Sequence, residues 1–248
     1  MKKILKRLKI WNKVFRDYCF SFFPLKGHFL TSDETVKYIS SAKKSVIRFG
    51  DGEFNILVGG NVHYQVYNSE LRKELLEILQ NYTGDSPYLL CVPYHYFSKS
   101  NLTLNKRVLI SSWSTPKRTF KKYIKTDVAY GDAFVFARNN DRYNYQRIWE
   151  KYRTVILVHN NKKYFKDVID LDRQEGFFVK VPDKNSYEFI DEIEYEIEKI
   201  YKINNLSQEN TIVLLSAGPT AKALVYRMSL KGYKMIDCGH VWDDPLEV

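Results

Sequence analysis

Two carboxylates stand one residue apart in the RFGDGE segment at residues 48–53, which directly follows an apolar run. In an extended segment, residues i and i+2 point to the same side, so Asp51 and Glu53 are predicted to face one ion together. Hard carboxylate oxygens favour Mg²⁺ or Mn²⁺, and such ions also bind substrate phosphates. One interpretation is therefore a metal site for a phosphate-bearing substrate. The alternative is a tight Asp-Gly turn that leaves Glu53 on the surface.

A second candidate segment is the loop at residues 216–220, between an apolar run and a helical pattern. Gly218 lets the backbone approach a ligand, and Pro219 suits the first turn of a helix, whose N–H groups and dipole attract phosphate. Thr220 and Lys222 can add a hydroxyl and a charge. The loop matches neither the G-x-x-x-x-G-K-[ST] nor the G-x-G-x-x-G pattern, so a purely structural turn remains open.

Three further polar residues can do chemistry at predicted strand ends. Arg48 can hold a diphosphate, orient Asp51 or form a structural ion pair. Arg138 follows an apolar run and can reach a phosphate. His240 can complete metal coordination or act as an acid or base, or it can be structural.

The elements that must position these residues alternate between strand-like and helical patterns. Short apolar runs predict strands at residues 45–49, 88–92, 133–137, 154–158, 177–181, 211–215 and 234–238. Helical periodicity predicts helices at 31–42, 71–79, 185–200 and 220–230, the first and third opened by capping boxes at Thr31 with Glu34 and at Asn185 with Glu188. Such alternation predicts an α/β fold with a doubly wound, mostly parallel sheet, in which ligands bind beyond the carboxyl ends of the strands.

The positive charge of the chain is concentrated at its N-terminus. The net charge is +10, but residues 1–30 hold eight Lys or Arg against one acid, Asp17. The rest of the chain has no broad basic face, which argues against a nucleic-acid partner. Residues 1–30 form a basic amphipathic segment with aromatic residues, which fits the surface of an anionic membrane, or an ordinary helix that packs on its own domain.

Length and composition indicate one large α/β domain at residues 31–248, although two smaller domains remain possible. The chain has 248 residues, of which 44% are hydrophobic. Its three cysteines form no C-x-x-C pair, which favours a reducing cytoplasm. No apolar stretch is long enough to span a membrane, and no signal peptide is evident. We therefore expect a cytoplasmic protein that is peripheral to the membrane at most.

Four ordered motifs together resemble the GT-D glycosyltransferases, a metal-dependent family once classed as a domain of unknown function. They are RFGDGE at 48–53, YQ at 64–65, YGDAF at 130–134 and GPTA at 218–221. GY at 232–233 and DCGH at 237–240 also fit. The resemblance covers residues 45–240, nearly all of the chain beyond its basic segment.

The resemblance implies a Rossmann-like fold of the GT-D type and transfer of a sugar from a nucleotide-sugar donor, expected to be UDP-linked, to a surface glycan or glycoprotein. Asp51 and Glu53 then form the D-x-E motif that holds Mn²⁺ or Mg²⁺, and together with His240 they are the expected catalytic residues. The expected donor-binding residues are Arg48, Gly50, Gln65, Arg138, Asn185, Gly218, Pro219 and Thr220. The same carboxylates also suit a metal-dependent phosphohydrolase acting on nucleotides, and a non-catalytic nucleotide- or membrane-binding protein is the third reading.

Overall fold

Eight short strands form one parallel sheet in the computed structural model, which describes residues 2–42, 44–136 and 148–239. The strands are β1 (His28–Phe29), β2 (Ser45–Arg48), β3 (Tyr88–Val92), β4 (Ala129–Asp132), β5 (Thr154–His159), β6 (Glu175–Lys180), β7 (Thr211–Ser216) and β8 (Met235–Asp237). Their order across the sheet is β1-β4-β3-β2-β8-β7-β5-β6. From β2 the chain adds β3 and then β4 on one side of the sheet. The later strands lie on the other side, with β8 next to β2, so the strand order reverses between β2 and β8. The predicted doubly wound parallel sheet is confirmed.

The sheet is buried on both faces, because alternate residues of each strand enter different apolar clusters. In β3, Leu90 and Val92 belong to one cluster, whereas Leu89 and Cys91 belong to the other. This explains why the central strands are continuous apolar runs and do not alternate with polar residues.

Nine α-helices of the described chain flank the sheet or extend from it. They are α1 (Lys2–Phe20), α2 (Ser32–Ala42), α3 (Asp51–Leu57), α4 (Ser69–Asn81), α5 (Tyr94–Phe97), α6 (Arg107–Phe120), α7 (Phe165–Val168), α8 (Ile190–Ile203) and α9 (Pro219–Ser229). The predicted capping box at the start of α2 is confirmed, since the Thr31 backbone N–H donates to Glu34 Oε2 at 2.8 Å and the Glu34 N–H donates to Thr31 Oγ1 at 3.3 Å.

The predicted strand at 133–137 is wrong, because β4 lies four residues earlier and residues 133–136 form a turn. β4 was missed because it contains Gly131 and Asp132. Gly131 is needed there, since a Cβ atom at this position would lie 2.5 Å from Cys91 Sγ on β3. Ala133, Val135 and Phe136 are buried in the turn after β4, which is why this segment resembled a strand.

The capping box predicted at Asn185 is also wrong. Asn185 has a left-handed backbone with φ of 54°, and a 3₁₀ turn over Ser186–Phe189 precedes α8. Its side chain instead accepts a hydrogen bond from the Val66 N–H at 2.9 Å. Asn185 therefore ties α8 to the segment after α3, because its short side chain tolerates the left-handed region.

The N-terminal helix α1 packs on α6 through its inner face. Asp17 is 3% exposed and pairs with Arg118 at 2.6 Å, and the Thr115 hydroxyl donates to the same carboxylate at 2.8 Å. Tyr18 donates its hydroxyl to the Asn101 carbonyl at 3.1 Å. Across residues 2–42, 44–136 and 148–239, no helix is both long and apolar enough to cross a bilayer.

Candidate functional site

A cavity of about 220 Å³ opens where the carboxyl ends of β2, β7 and β8 meet, which is the point where the strand order reverses. Open parallel sheets bind ligands at this position. The residues that line the cavity are Arg48, Gly50, Asp51, Gly52, Glu53, Tyr64, Ala133, Phe134, Phe136, Ser216, Gly218, Lys222, Cys238 and Gly239.

A buried group of three charges forms the floor of the site. The Lys222 ammonium lies 3.2 Å from Glu53 Oε1 and 3.0 Å from Asp237 Oδ2, and all three side chains are less than a tenth exposed. Burial alone would lower the pKa of Lys222, but the Asp237 and Glu53 carboxylates raise it above its ordinary value. Lys222 therefore remains protonated at neutral pH and holds the two carboxylates together.

Arg48 is fixed beside this group at the end of β2. Its Nε donates to the Asp237 carbonyl and its Nη1 to the Ala133 carbonyl, both at 2.8 Å, and its guanidinium lies 5.4 Å from the centre of the Phe136 ring. Asp237 Oδ1 is 3.7 Å from Arg48 Nη2. A structural ion pair, one of the three alternatives for Arg48, is thus made with Asp237. The cavity nevertheless receives a second positive charge.

Asp51 and Glu53 do not project from an extended segment, so the geometric argument for their facing one ion is wrong. Helix α3 begins at Asp51, which places both in its first turn. Glu53 turns inward, and its Oε2 accepts a hydrogen bond from the Gly50 N–H at 2.7 Å. Asp51 is exposed at the cavity mouth, where partial desolvation and then the Glu53 carboxylate raise its pKa. The reading of Glu53 as a surface residue is also wrong.

The N-terminus of α9 forms another side of the cavity. Gly218 is its N-cap, with φ of 55°, and Pro219 occupies the first turn. Tyr64 lies against Gly218, because a Cβ atom there would be 2.8 Å from Tyr64 Cε2. Burial raises the pKa of Tyr64 to about 12, and the Glu53 carboxylate adds to the shift. The phenol is therefore neutral, and its ring fixes the loop that precedes α9.

Replacing Gly218 with alanine is expected to destabilise the protein by about 1–3 kcal/mol, because a non-glycine residue is strained at positive φ and its methyl group meets Tyr64. Urea unfolding measures the effect. Gly84→Ala is the control, since nothing lies within 4 Å of a Cβ atom at that position. Equal stability of the two variants would contradict the assigned packing of Tyr64 on Gly218.

Four of the predicted donor-binding residues lie outside the cavity lining. Gln65 is buried and donates its amide N–H to the Val66 carbonyl at 3.0 Å, while Asn185 binds the Val66 N–H. Thr220 Oγ1 shares a hydrogen bond with the Ser186 hydroxyl at 2.8 Å, and Pro219 is buried in the first turn of α9. These residues support the loops of the site.

Two predicted residues, Arg138 and His240, lie outside the described residues. Conversely, sequence reasoning left the chemistry of Asp237 and Tyr64 unassigned. The position of Asp237 at the end of the last predicted strand was a usable signal, because the ends of parallel strands converge at one edge of the sheet.

The chain is similar to two curated streptococcal proteins. It is 26% identical over 229 residues to Glycosyltransferase GlyD of Streptococcus pneumoniae serotype 4, a match that covers 84% of this chain and 26% of the relative. It is 22% identical over 230 residues to Probable glycosyl transferase Gly of Streptococcus gordonii, which covers 86% of this chain and 32% of that protein. The chain therefore spans about a quarter to a third of the length of these relatives.

Solved structures show the same architecture. A selenomethionine-substituted structure of the domain of unknown function 1792 superposes with a TM-score of 0.72 at 27% identity, covering 92% of this chain and 82% of that one. A structure described as showing that this domain "has a distinct glycosyltransferase fold" superposes with a TM-score of 0.70 at 26% identity, with the same coverage. The family model described as "Glycosyltransferase GT-D fold" matches residues 46–245, which confirms the resemblance seen in the motifs. The chain belongs to the family of glycosyltransferases with the GT-D fold.

Proposed function

We propose that the protein is a metal-dependent glycosyltransferase that moves a sugar from a UDP-linked donor to a glycan or glycosylated protein. The observation that carries the proposal is the cavity at the reversal point of the sheet. There, the N-terminus of α9 and two cations, Lys222 and Arg48, adjoin the carboxylates Asp51 and Glu53. This combination suits a diphosphate together with a divalent ion.

The N-terminus of α9 supports diphosphate binding. Pro219 at its first position has no N–H, and the Ala221 N–H donates to the Gly218 carbonyl at 3.2 Å, so the support comes from the helix dipole, which favours an anion at that end. Gly218 lines the cavity and has no side chain to keep a phosphate away from the backbone. Lys222 also donates to the Gly218 carbonyl at 3.1 Å, which fixes the loop relative to the charged floor.

The donor set of the cavity fits a hard divalent ion. Asp51 and Glu53 both line it. The part of the chain that the structure describes contains no group of three or more His, Cys, Asp or Glu side chains that could hold a metal ion. Mg²⁺ commonly takes one or two protein carboxylates and completes its shell with water and substrate phosphates. We assign Asp51 and Glu53 as the protein ligands. The Lys222 ammonium and the Gly50 N–H fix the orientation of Glu53.

The reaction breaks the bond between the sugar and the terminal phosphate of the donor, which leaves negative charge on a nucleoside diphosphate. When bound, the divalent ion supplies electrostatic stabilisation of that leaving group. Lys222, Arg48 and the α9 N-terminus hold positive charge in fixed positions around the same cavity, so they need little rearrangement as charge develops. Tyr64 and Phe136 line the cavity beside these groups.

A transfer assay tests this proposal. The purified chain is incubated with a panel of UDP-sugars, Mn²⁺ and candidate glycan acceptors, and the products are analysed by mass spectrometry for a glycosylated acceptor and UDP. The phosphohydrolase alternative predicts release of inorganic phosphate without an acceptor, and the binding-protein alternative predicts no turnover. Either of these results would overturn the assignment.

The cysteines support a cytoplasmic location, which we also propose. Cys91 and Cys238 are buried and Cys19 is exposed, and none of the three forms a disulfide. Free thiols are typical of a reducing compartment. A nucleotide-sugar enzyme in such a compartment has direct access to its donor.

A further inference from the structure

Helix α1 has two faces of opposite character, and its inner face fixes it to the glycosyltransferase domain. Besides the Asp17–Arg118 pair, the Arg107 guanidinium lies 4.3 Å from the centre of the Trp11 ring. Val14 is buried between these contacts. The helix therefore has a defined orientation on α6, and its outer side is a fixed surface of the protein.

The outer face of α1 combines exposed apolar side chains with cations. Leu8 is 56% exposed and Phe15 is 66% exposed, and because they are seven residues apart they lie on the same side of the helix. The cations Lys9, Lys13 and Arg16 are exposed along one flank of this strip. We call the surface formed by these five residues and the two aromatic residues that follow, Phe20 and Phe23, the basic aromatic face.

The aromatic residues extend the face beyond the end of the helix. Phe23 is 76% exposed, and Phe20 is exposed while it packs under the Arg118 guanidinium at 4.7 Å from its ring centre. Aromatic rings beside cations are typical of helices that lie in the interface of a bilayer. Burial of these side chains in lipid headgroups removes apolar surface from water while the cations meet lipid phosphates.

The positive charge of the basic aromatic face indicates which kind of partner it binds. Asp17 is the only acid among residues 1–30, and it is buried and neutralised by Arg118. The exposed charges of the basic aromatic face are therefore all positive. A second copy of the chain would place like charges opposite each other, which disfavours self-association through this face. An anionic lipid surface instead attracts every cation on it.

We propose that the basic aromatic face docks the protein on an anionic membrane, with α1 parallel to the bilayer plane. The inference goes beyond sugar transfer, because it concerns where the domain is held and not what its cavity does. The rigid attachment of α1 to α6 then fixes the orientation of the whole domain at the membrane.

Co-sedimentation of the full chain with vesicles tests the proposal without any activity measurement. Vesicles of about 30% phosphatidylserine in phosphatidylcholine are compared with pure phosphatidylcholine at about 0.1 M salt. We expect binding to the anionic vesicles only. Since each surface cation contributes about fivefold to partitioning, the Lys9→Glu/Lys13→Glu variant is expected to bind at least about 25-fold more weakly. Leu8→Ser/Phe15→Ser is expected to lose at least about tenfold.

The matched control variant lies on α8, which is far from α1 along the chain. Ile203 is 70% exposed and Lys202 is exposed, so Ile203→Ser/Lys202→Glu removes one exposed apolar side chain and reverses one charge without touching the basic aromatic face. This variant is expected to bind like the wild type. Because the altered side chains are exposed, each variant is expected to fold, and urea unfolding checks this. Equal partitioning of the wild type to both kinds of vesicle, or unchanged binding of the α1 variants, would overturn the proposal.

Discussion

Replacing Asp51 with asparagine is expected to lower metal-dependent sugar transfer by about a thousandfold or more. The substitution keeps the size of the side chain and removes the charge that we propose to hold the divalent ion, whose stabilisation of the leaving diphosphate would be worth several kcal/mol. Asp51 is exposed at the cavity mouth, so the fold should survive. The rate is measured with the donor identified in the transfer assay, at saturating Mn²⁺.

Asp33→Asn is the matched control for this variant. Asp33 occupies the first turn of α2, as Asp51 occupies the first turn of α3, so both substitutions remove a carboxylate that interacts with a helix dipole. Asp33 does not line the cavity. Its variant should keep turnover within about twofold of the wild type. An Asp51→Asn enzyme with more than a tenth of wild-type activity would show that Asp51 does not hold the metal.

Replacing Lys222 with methionine is expected to reduce the free energy of unfolding by about 3–5 kcal/mol, because it leaves Glu53 and Asp237 as buried carboxylates without their shared cation. Asp237 keeps Arg48, whereas Glu53 keeps only the Gly50 N–H among its described partners. The Lys222→Met/Glu53→Gln variant should therefore recover part of the lost stability. Urea unfolding at neutral pH measures all three proteins.

Lys231→Met is the control that distinguishes the effect of burial on stability from the effect of ion pairing. Lys231 also contacts two carboxylates, Glu194 at 2.6 Å and Glu198 at 2.8 Å, but its side chain is half exposed. Solvent screens such pairs, so its loss should cost less than about 1 kcal/mol. If Lys222→Met cost no more than Lys231→Met, the buried charge group would not be a stabilising element of the site.

The parallel sheet was predictable because burial on both faces forces continuous apolar runs. β3 lies at the predicted residues, and β2, β5, β7 and β8 differ from their predicted ranges only at the ends. β4 was not predictable from hydrophobicity, since close contact with β3 requires Gly131 in place of an apolar residue. The two-residue strand β1 has too few residues for any periodic signal.

The location of the site was predictable, whereas its internal pairing was not. RFGDGE and the GPTA loop follow predicted strands, and parallel strand ends meet at one edge of the sheet. Spacing along the chain could not show that α3 begins at Asp51, which turns Glu53 inward toward Lys222. Nor could it show that Arg48 pairs with Asp237 across 189 residues of sequence, since only the adjacency of β2 and β8 brings them together.

Isothermal titration of the protein with UDP, with and without Mn²⁺, tests the central claim most directly, because it needs neither the donor sugar nor the acceptor. We expect Mn²⁺ to tighten UDP binding by at least about tenfold in the wild type, and we expect Asp51→Asn to lose this gain while Asp33→Asn keeps it. UDP binding of equal strength with and without Mn²⁺, or no UDP binding at all, would contradict a metal-dependent nucleotide-sugar site in this cavity.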